Sequence, residues 1–252
     1  MSDYYKSKRT HNLYNQTDTN PFRLSRSKID LFLECPRCFY LDRRIGIGRP
    51  PGYPFSLNSA VDALLKKEFD MHRAHNTVHP LVKEFGLDLV PFQHEFIDAW
   101  RDSLRRGITY QVPGTNILVT GGVDDVWVDP KTEEITIVDY KATSKNGEVS
   151  LDADWQIGYK RQMEVYQWLF RQNGFKVSST GYFVYCNGNA DNDAFNAKLE
   201  FDIKLLPYKG DDSWVESTVK EAHKVLCSDK IPNSTQGCDY CAYYKARVES
   251  DE

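Results

Sequence analysis

At 252 residues, 27% charged and 40% hydrophobic, the chain has the composition of a globular protein able to bury one sizeable core. Its 32 Lys and Arg are outnumbered by 36 Asp and Glu, a net charge of −4, which excludes a global positive field that would hold nucleic acid indiscriminately. No run of about 18 apolar residues occurs and residues 1–21 are polar, so a cytoplasmic protein without membrane contact is expected.

Residues 1–21 lack periodicity and are expected to form a flexible tail, with one domain over 22–248. From Phe22, apolar residues at helical intervals, interrupted at Pro36, predict two short helices around the pair Cys35-x-x-Cys38. A helix over about 56–73 follows from Leu57, Ala60, Val61, Leu64, Leu65 and Phe69 on one stripe. Asp62 is seven residues before Phe69 and falls at the edge of that stripe, where a carboxylate needs a partner, a cation or water. A further helix is expected over about 91–106.

The period then changes to two. ILVTGGVDDVWVD, a PKT turn and EEITIVDYKAT predict a β-hairpin rich in β-branched residues. Trp155, Tyr159, Gln162, Met163, Tyr166, Leu169 and Phe170 mark a long helix ending at Asn173-Gly174. Strands STGYFVYC and KLEFDIKLL, a helix over about 213–227 and the pair Cys238-x-x-Cys241 complete the chain. This order predicts an α/β layered core with a mixed central sheet flanked by helices, plus an N-terminal helical segment.

Alternation puts Asp139 and Lys141 side by side at a strand end, with Asp124 across or diagonal on the other hairpin arm. Two carboxylates so placed repel unless a cation lies between them, and Mg²⁺ or Mn²⁺ suits their oxygen donors. Lys141 would then orient a water or stabilise a phosphate. Asp125 alternates onto the opposite face and is expected to point outward or to support the site from behind. Gln162 and Tyr166, four apart, share a core helix face, where an amide implies a buried hydrogen-bonding task. By itself a D-x-K pair is a common surface ion pair; its order with Asp124, Gln162 and Tyr166 is what points to catalysis.

Six cysteines are too few for a disulfide scaffold of this length. Cys35, Cys38, Cys238 and Cys241 form two pairs at metal-knuckle spacing near the domain's ends and are expected to share a structural metal, Zn²⁺ or an iron-sulfur cluster. Cys186 and Cys227 are expected in the core. His72, His75 and His79 could make a second metal site, with a solvated, coincidental cluster the favoured reading. Residues 22–50 carry seven basic residues against three acidic ones, a patch suited to a phosphate backbone or to plain solvation.

GGVDDVWVD, IVDYKAT and QMEVY resemble the G-x-x-D, D-x-K and Q-x-x-x-Y motifs of the PD-(D/E)xK nuclease superfamily in its RecB-like branch. The resemblance implies a restriction-endonuclease-like core in which Asp124 and Asp139 are metal ligands, Lys141 is the catalytic lysine and Tyr140 offers its backbone carbonyl to the metal. Gln162 and Tyr166 would support the site and touch the DNA strand. CPRCFYL and CDYCAYY resemble the cysteine segments of CRISPR-associated exonuclease and AddB-type groups. NSAVDALL has Asp62 where that branch has a histidine, and Asp can ligate a hard cation.

The implied activity is metal-dependent hydrolysis of DNA, of single strands or ends, in repair, recombination or CRISPR adaptation. Since no helicase motif is present, a separate helicase or adaptation-complex protein would be the partner. Two other readings stay open: a catalytically inactive nuclease fold that binds nucleic acid or assembles with such a complex, and a zinc-ribbon-like scaffold with incidental carboxylates. Oligomeric state has no signal in the pattern.

Overall fold

A computed structural model describes residues 8–52 and 56–250. In chain order it contains β1 (Phe22–Ser25), α1 (Arg26–Glu34), α2 (Pro36–Tyr40), a π turn (Leu41–Ile45), α3 (Ser56–His75), α4 (Pro80–Glu84) and β2 (Val90–Pro91). Next come α5 (Ile97–Arg101), β3 (Ile108–Gln111), β4 (Ile117–Gly121), β5 (Asp125–Val128) and β6 (Ile135–Thr143). A 3-10 turn (Asp154–Gln156) leads into α6 (Ile157–Gln172), followed by β7 (Thr180–Gly188), β8 (Phe201–Lys209), α7 (Val215–Cys227) and α8 (Asp239–Glu249). Among the described residues one compact unit takes in 8–52, 109–120 and 213–250, and a second takes in 56–108 and 121–212.

The first unit is built on the three-stranded sheet β1-β4-β3, with β1 parallel to β4 and Phe22 opposite Ile117. Pro36 stands at the first position of α2, where its missing N–H is no loss, so the chain breaks at Cys35 and restarts. Val215, Val219, Ala222 and Leu226 form the buried stripe of α7, which packs on α1 and α2. The described part of the expected tail is fastened here. Arg9 N–H donates to the Gly46 carbonyl (2.8 Å), Tyr14 N–H donates to the Arg43 carbonyl (2.7 Å), and the Tyr14 ring is buried. Residues 1–7 lie outside the described residues.

The second unit holds the expected mixed sheet, in the order β2-β5-β6-β7-β8. Its neighbours are antiparallel except β6 and β7, which run parallel and therefore need the long crossover that α6 supplies. One face packs Val138, Tyr140, Trp127 and Val184 against Leu65 and Phe69 of α3. The Phe69 and Trp127 rings stack at 5.2 Å, and burying each contributes about 2–3 kcal/mol. The α3 stripe is narrower than the sequence pattern predicts: Leu57 and Leu64 are exposed, because α3 meets the sheet along Val61, Leu65 and Phe69.

Two expected elements differ. The helix over 91–106 shrinks to α5, because Val90 and Pro91 pair with Val128 and Trp127 and the Phe92 N–H donates to the Val126 carbonyl (2.8 Å). The predicted first hairpin arm breaks between Gly121 and Asp125, with β4 and β5 in different sheets. Close packing explains the glycines at the break. A Cβ on Gly121 would stand 2.7 Å from the Tyr166 ring, and one on Gly122 only 2.4 Å from the Ser103 Cβ.

Candidate active site

β6 ends in a fan of polar groups within the second unit. Asp139 is fully buried; one carboxylate oxygen accepts a hydrogen bond from Gln162 Nε2 (2.5 Å) and the other forms an ion pair with Lys141 Nζ. Gln162 sits one turn before Tyr166 on α6, and its Nε2 also lies 3.3 Å from the Tyr166 hydroxyl. The amide on the core face thus has the buried task its position implies. The Lys141 ammonium lies 4.6 Å over the Tyr159 ring, and its side chain is 14% exposed. Burial alone would lower the Lys141 pKa, but Asp139 and Asp124 outweigh it and raise it, so the group stands as a cation.

Asp124 lies in the gap before β5, so it belongs to neither ladder. Its Oδ2 accepts the Tyr140 N–H (2.9 Å), which turns the carboxylate toward the end of β6. α3 brings Asp62 to the same place. Lys66 Nζ is 2.8 Å from Asp62 Oδ2 and 3.5 Å from Asp124 Oδ1, joining the two carboxylates. Asp62 Oδ1 is buried with no hydrogen-bond partner, and burial followed by the charge of Asp124 raises the Asp62 pKa. An orphaned carboxylate oxygen, two acids sharing one cation and an all-oxygen donor set fit a hard divalent ion. Asp62, Asp124, Asp139, Lys141, Gln162 and Tyr166 are therefore gathered at one end of β6. Sequence reasoning did not single out Lys66 or the Tyr159–Lys141 contact, although Lys66 at i+4 from Asp62 was a usable signal.

Asp125 does not point outward. It is fully buried on the opposite face of the strand, where Oδ1 meets Arg73 (2.5 Å) and Arg101 (2.8 Å) and Oδ2 accepts from the Tyr140 hydroxyl (2.9 Å). Asp70 bridges the same two arginines, at 3.0 Å from Arg73 and 2.8 Å from Arg101. Two acids and two guanidiniums thus balance beneath β5, next to the segment that carries Asp124. No sequence period marks this network, whose members come from α3, α5 and β5.

In the first unit Cys35, Cys38, Cys238 and Cys241 meet. Their sulfurs all lie within 4.8 Å of one another, with separations of 3.9 Å (Cys35–Cys241), 3.6 Å (Cys38–Cys238) and 3.7 Å (Cys38–Cys241). Burial pushes the Cys38 and Cys241 thiols up, whereas N–H groups of Cys38 and Thr235 outweigh burial at Cys35 and lower it to about 7. Arg49 Nη2 lies 3.7 Å from Cys238 Sγ, and its guanidinium lies over the Tyr240 ring. Four soft donors so gathered fit a metal ion.

The other candidates are engaged locally. His72 meets Thr77, His75 meets the Met71 carbonyl, and His79 meets Glu68 while accepting the Leu81 N–H. Cys186 is in the core, but Cys227 is half-buried beside Tyr14 and His223. In the basic segment Lys28 and Arg43 are spent on buried Asp42 and Arg49 on Glu34, so much of its charge is balanced internally.

Residues 56–246 match the model of the PD-(D/E)XK nuclease superfamily, and the chain belongs to that superfamily. Its fold is the mixed α/β arrangement of that group, whose members cut nucleic acid with divalent metals. No curated protein matches the chain. Among solved structures, the chain is similar to the crystal structure of SSO0001, at 16% identity over 92% of this chain and 87% of that one, with a TM-score of 0.35. Among the described residues, no helix is long and apolar enough to cross a membrane.

Proposed function

We propose that the protein is a RecB-like, Mg²⁺- or Mn²⁺-dependent deoxyribonuclease that hydrolyses phosphodiester bonds of single-stranded DNA or DNA ends. The observation that carries the reading is the buried Asp139, held by Gln162 on one side and paired with Lys141 on the other, beside Asp124 and Asp62. Asp124, Asp139, the Tyr140 carbonyl and Asp62 are the assigned holders of the ion. When bound, that ion supplies Lewis acidity to activate water and to neutralise charge on the phosphate. Lys141, kept cationic, orients the water and stabilises the charge that develops on phosphorus-bound oxygens. Gln162 and Tyr166 fix the Asp139 carboxylate and face the strand being cut. The functional domain is assigned to 22–248, acting in the cytoplasm in repair, recombination or CRISPR adaptation with a separate helicase or adaptation-complex protein.

At the thiol site the spacing favours zinc over an iron-sulfur cluster. Four sulfurs about 2.3 Å from one ion define a tetrahedron with edges of about 3.8 Å, and the separations of 3.6–3.9 Å agree with that. A four-iron cluster would hold the sulfurs much further apart, with its irons standing between them.

A second reading, a catalytically inactive nucleic-acid-binding module, draws on Lys66, whose ammonium stands between Asp62 and Asp124 where a metal would bind. End-labelled single- and double-stranded DNA with Mg²⁺ or Mn²⁺ separates the two. Metal-dependent cleavage should fall at least about a hundredfold in Lys141→Ala and Asp139→Ala. Cleavage undiminished in Lys141→Ala defeats the assignment, and a folded, metal-replete parent that binds without cutting selects the module.

A further inference from the structure

Trp100, Trp127 and Trp168 of the second unit are buried, but Trp155 is 65% exposed. An indole left in water forgoes the burial that the other three gain. Nor is it on a loose segment. The buried Gln156 beside it accepts the Ala153 N–H (3.0 Å) and donates to the Ser150 carbonyl (2.7 Å), pinning the 3-10 turn that presents the ring. Behind Trp155 lies Tyr159, edge-on at 5.5 Å, and over the Tyr159 ring sits the Lys141 ammonium at 4.6 Å. Those two steps place the indole no more than about 10 Å from the Lys141 cation. The exposed Ile157 adds a second apolar surface next to it.

We propose that Trp155 is a stacking platform for an unpaired base of single-stranded DNA whose phosphate lies at Lys141, which makes it a residue that selects single strands over duplex. The inference rests on the nuclease reading above and names its substrate class. A base inside a duplex has both faces covered by its neighbours and offers none to an indole, whereas an unpaired base does, and every base has such a face. Lys160 and Arg161 lie on α6 next to Tyr159 and add positive charge that draws the phosphate backbone to that helix.

The test measures binding of the full chain, dialysed free of Mg²⁺ and Mn²⁺ so that nothing is cut, to a labelled single strand, a blunt duplex, and the single strand with an abasic stretch. Trp155→Ala is expected to weaken binding of the base-bearing strand about 5- to 100-fold, with duplex and abasic strand unchanged and Trp155→Phe restoring most of the loss. Because the ring is exposed, its removal leaves the core intact, and the Phe variant guards against unfolding. Equal affinity of Trp155→Ala and parent for the single strand, or an equal loss on the abasic strand, overturns the platform alone. A parent that binds none of the three DNAs overturns the platform; the nuclease reading falls separately, if the folded parent with Mg²⁺ or Mn²⁺ cuts none of them.

Discussion

The carboxylate site and the thiol site are both gatherings of groups that repel one another once ionised, and they are compensated differently. At the carboxylates the chain brings its own cations and donors: Lys66 between Asp62 and Asp124, Lys141 on Asp139, the Gln162 amide and the Tyr140 N–H. At the thiols one guanidinium, Arg49, touches Cys238, and Cys38 and Cys241 are held toward their protonated forms. Carboxylates ionised at neutral pH must be balanced at all times, whereas thiols such as Cys38 and Cys241 can keep their protons until a metal displaces them. On the proposed reading, the carboxylate centre would exchange its ion freely and the thiol centre would hold its ion as part of the fold.

The largest expected effect is at the thiols. Cys38→Ser should release about one zinc per chain and lower the melting temperature by about 10 °C or more, since a structural zinc contributes several kcal/mol to folding. Dialysis that removes Mg²⁺ without a chelator should leave melting nearly unchanged. A Cys38→Ser chain that melts with the parent would show that no ion joins the sulfurs, and four irons in place of zinc would reverse the choice of metal.

Next in size is the network beneath the site. Asp125→Ala removes the buried acid that Arg73 and Arg101 share and leaves them the half-exposed Asp70, and unfolding in urea should report a loss of about 3–5 kcal/mol. A loss below about 1 kcal/mol would mean that water reaches those guanidiniums and that the network is not a buried one.

The smallest effect sharpens the comparison most. If the Lys66 ammonium stands in for a divalent ion, Lys66→Met should tighten Mn²⁺ binding, by up to about fivefold because the pair is partly solvated. Titration calorimetry showing weaker binding would mean that Lys66 helps to shape the site instead of competing for it.

What was legible in the sequence was local. The D-x-K pair lies within one strand and the Q-x-x-x-Y pair within one helix, so period alone put each on a shared face. The turn chemistry of Pro36 and Asn173-Gly174 was likewise readable, and the two CxxC pairs marked a candidate metal site without indicating how their sulfurs would meet.

Tertiary pairing decided the rest. Whether residues 117–128 form one strand or two depended on which partner each half takes, the distant β1 for the first and the adjacent β6 for the second, and the break between them freed Asp124 to turn onto the Tyr140 N–H. Alternation put Asp125 on the opposite face but named no partner for it, because the arginines that neutralise it lie 52 and 24 residues away. The sequence by itself therefore determined which side chains are chemically capable and which face of its own element each takes. Only the folded chain decided which of them are compensated, because a charge is stabilised by whatever stands within a few ångströms of it, whatever its distance along the chain.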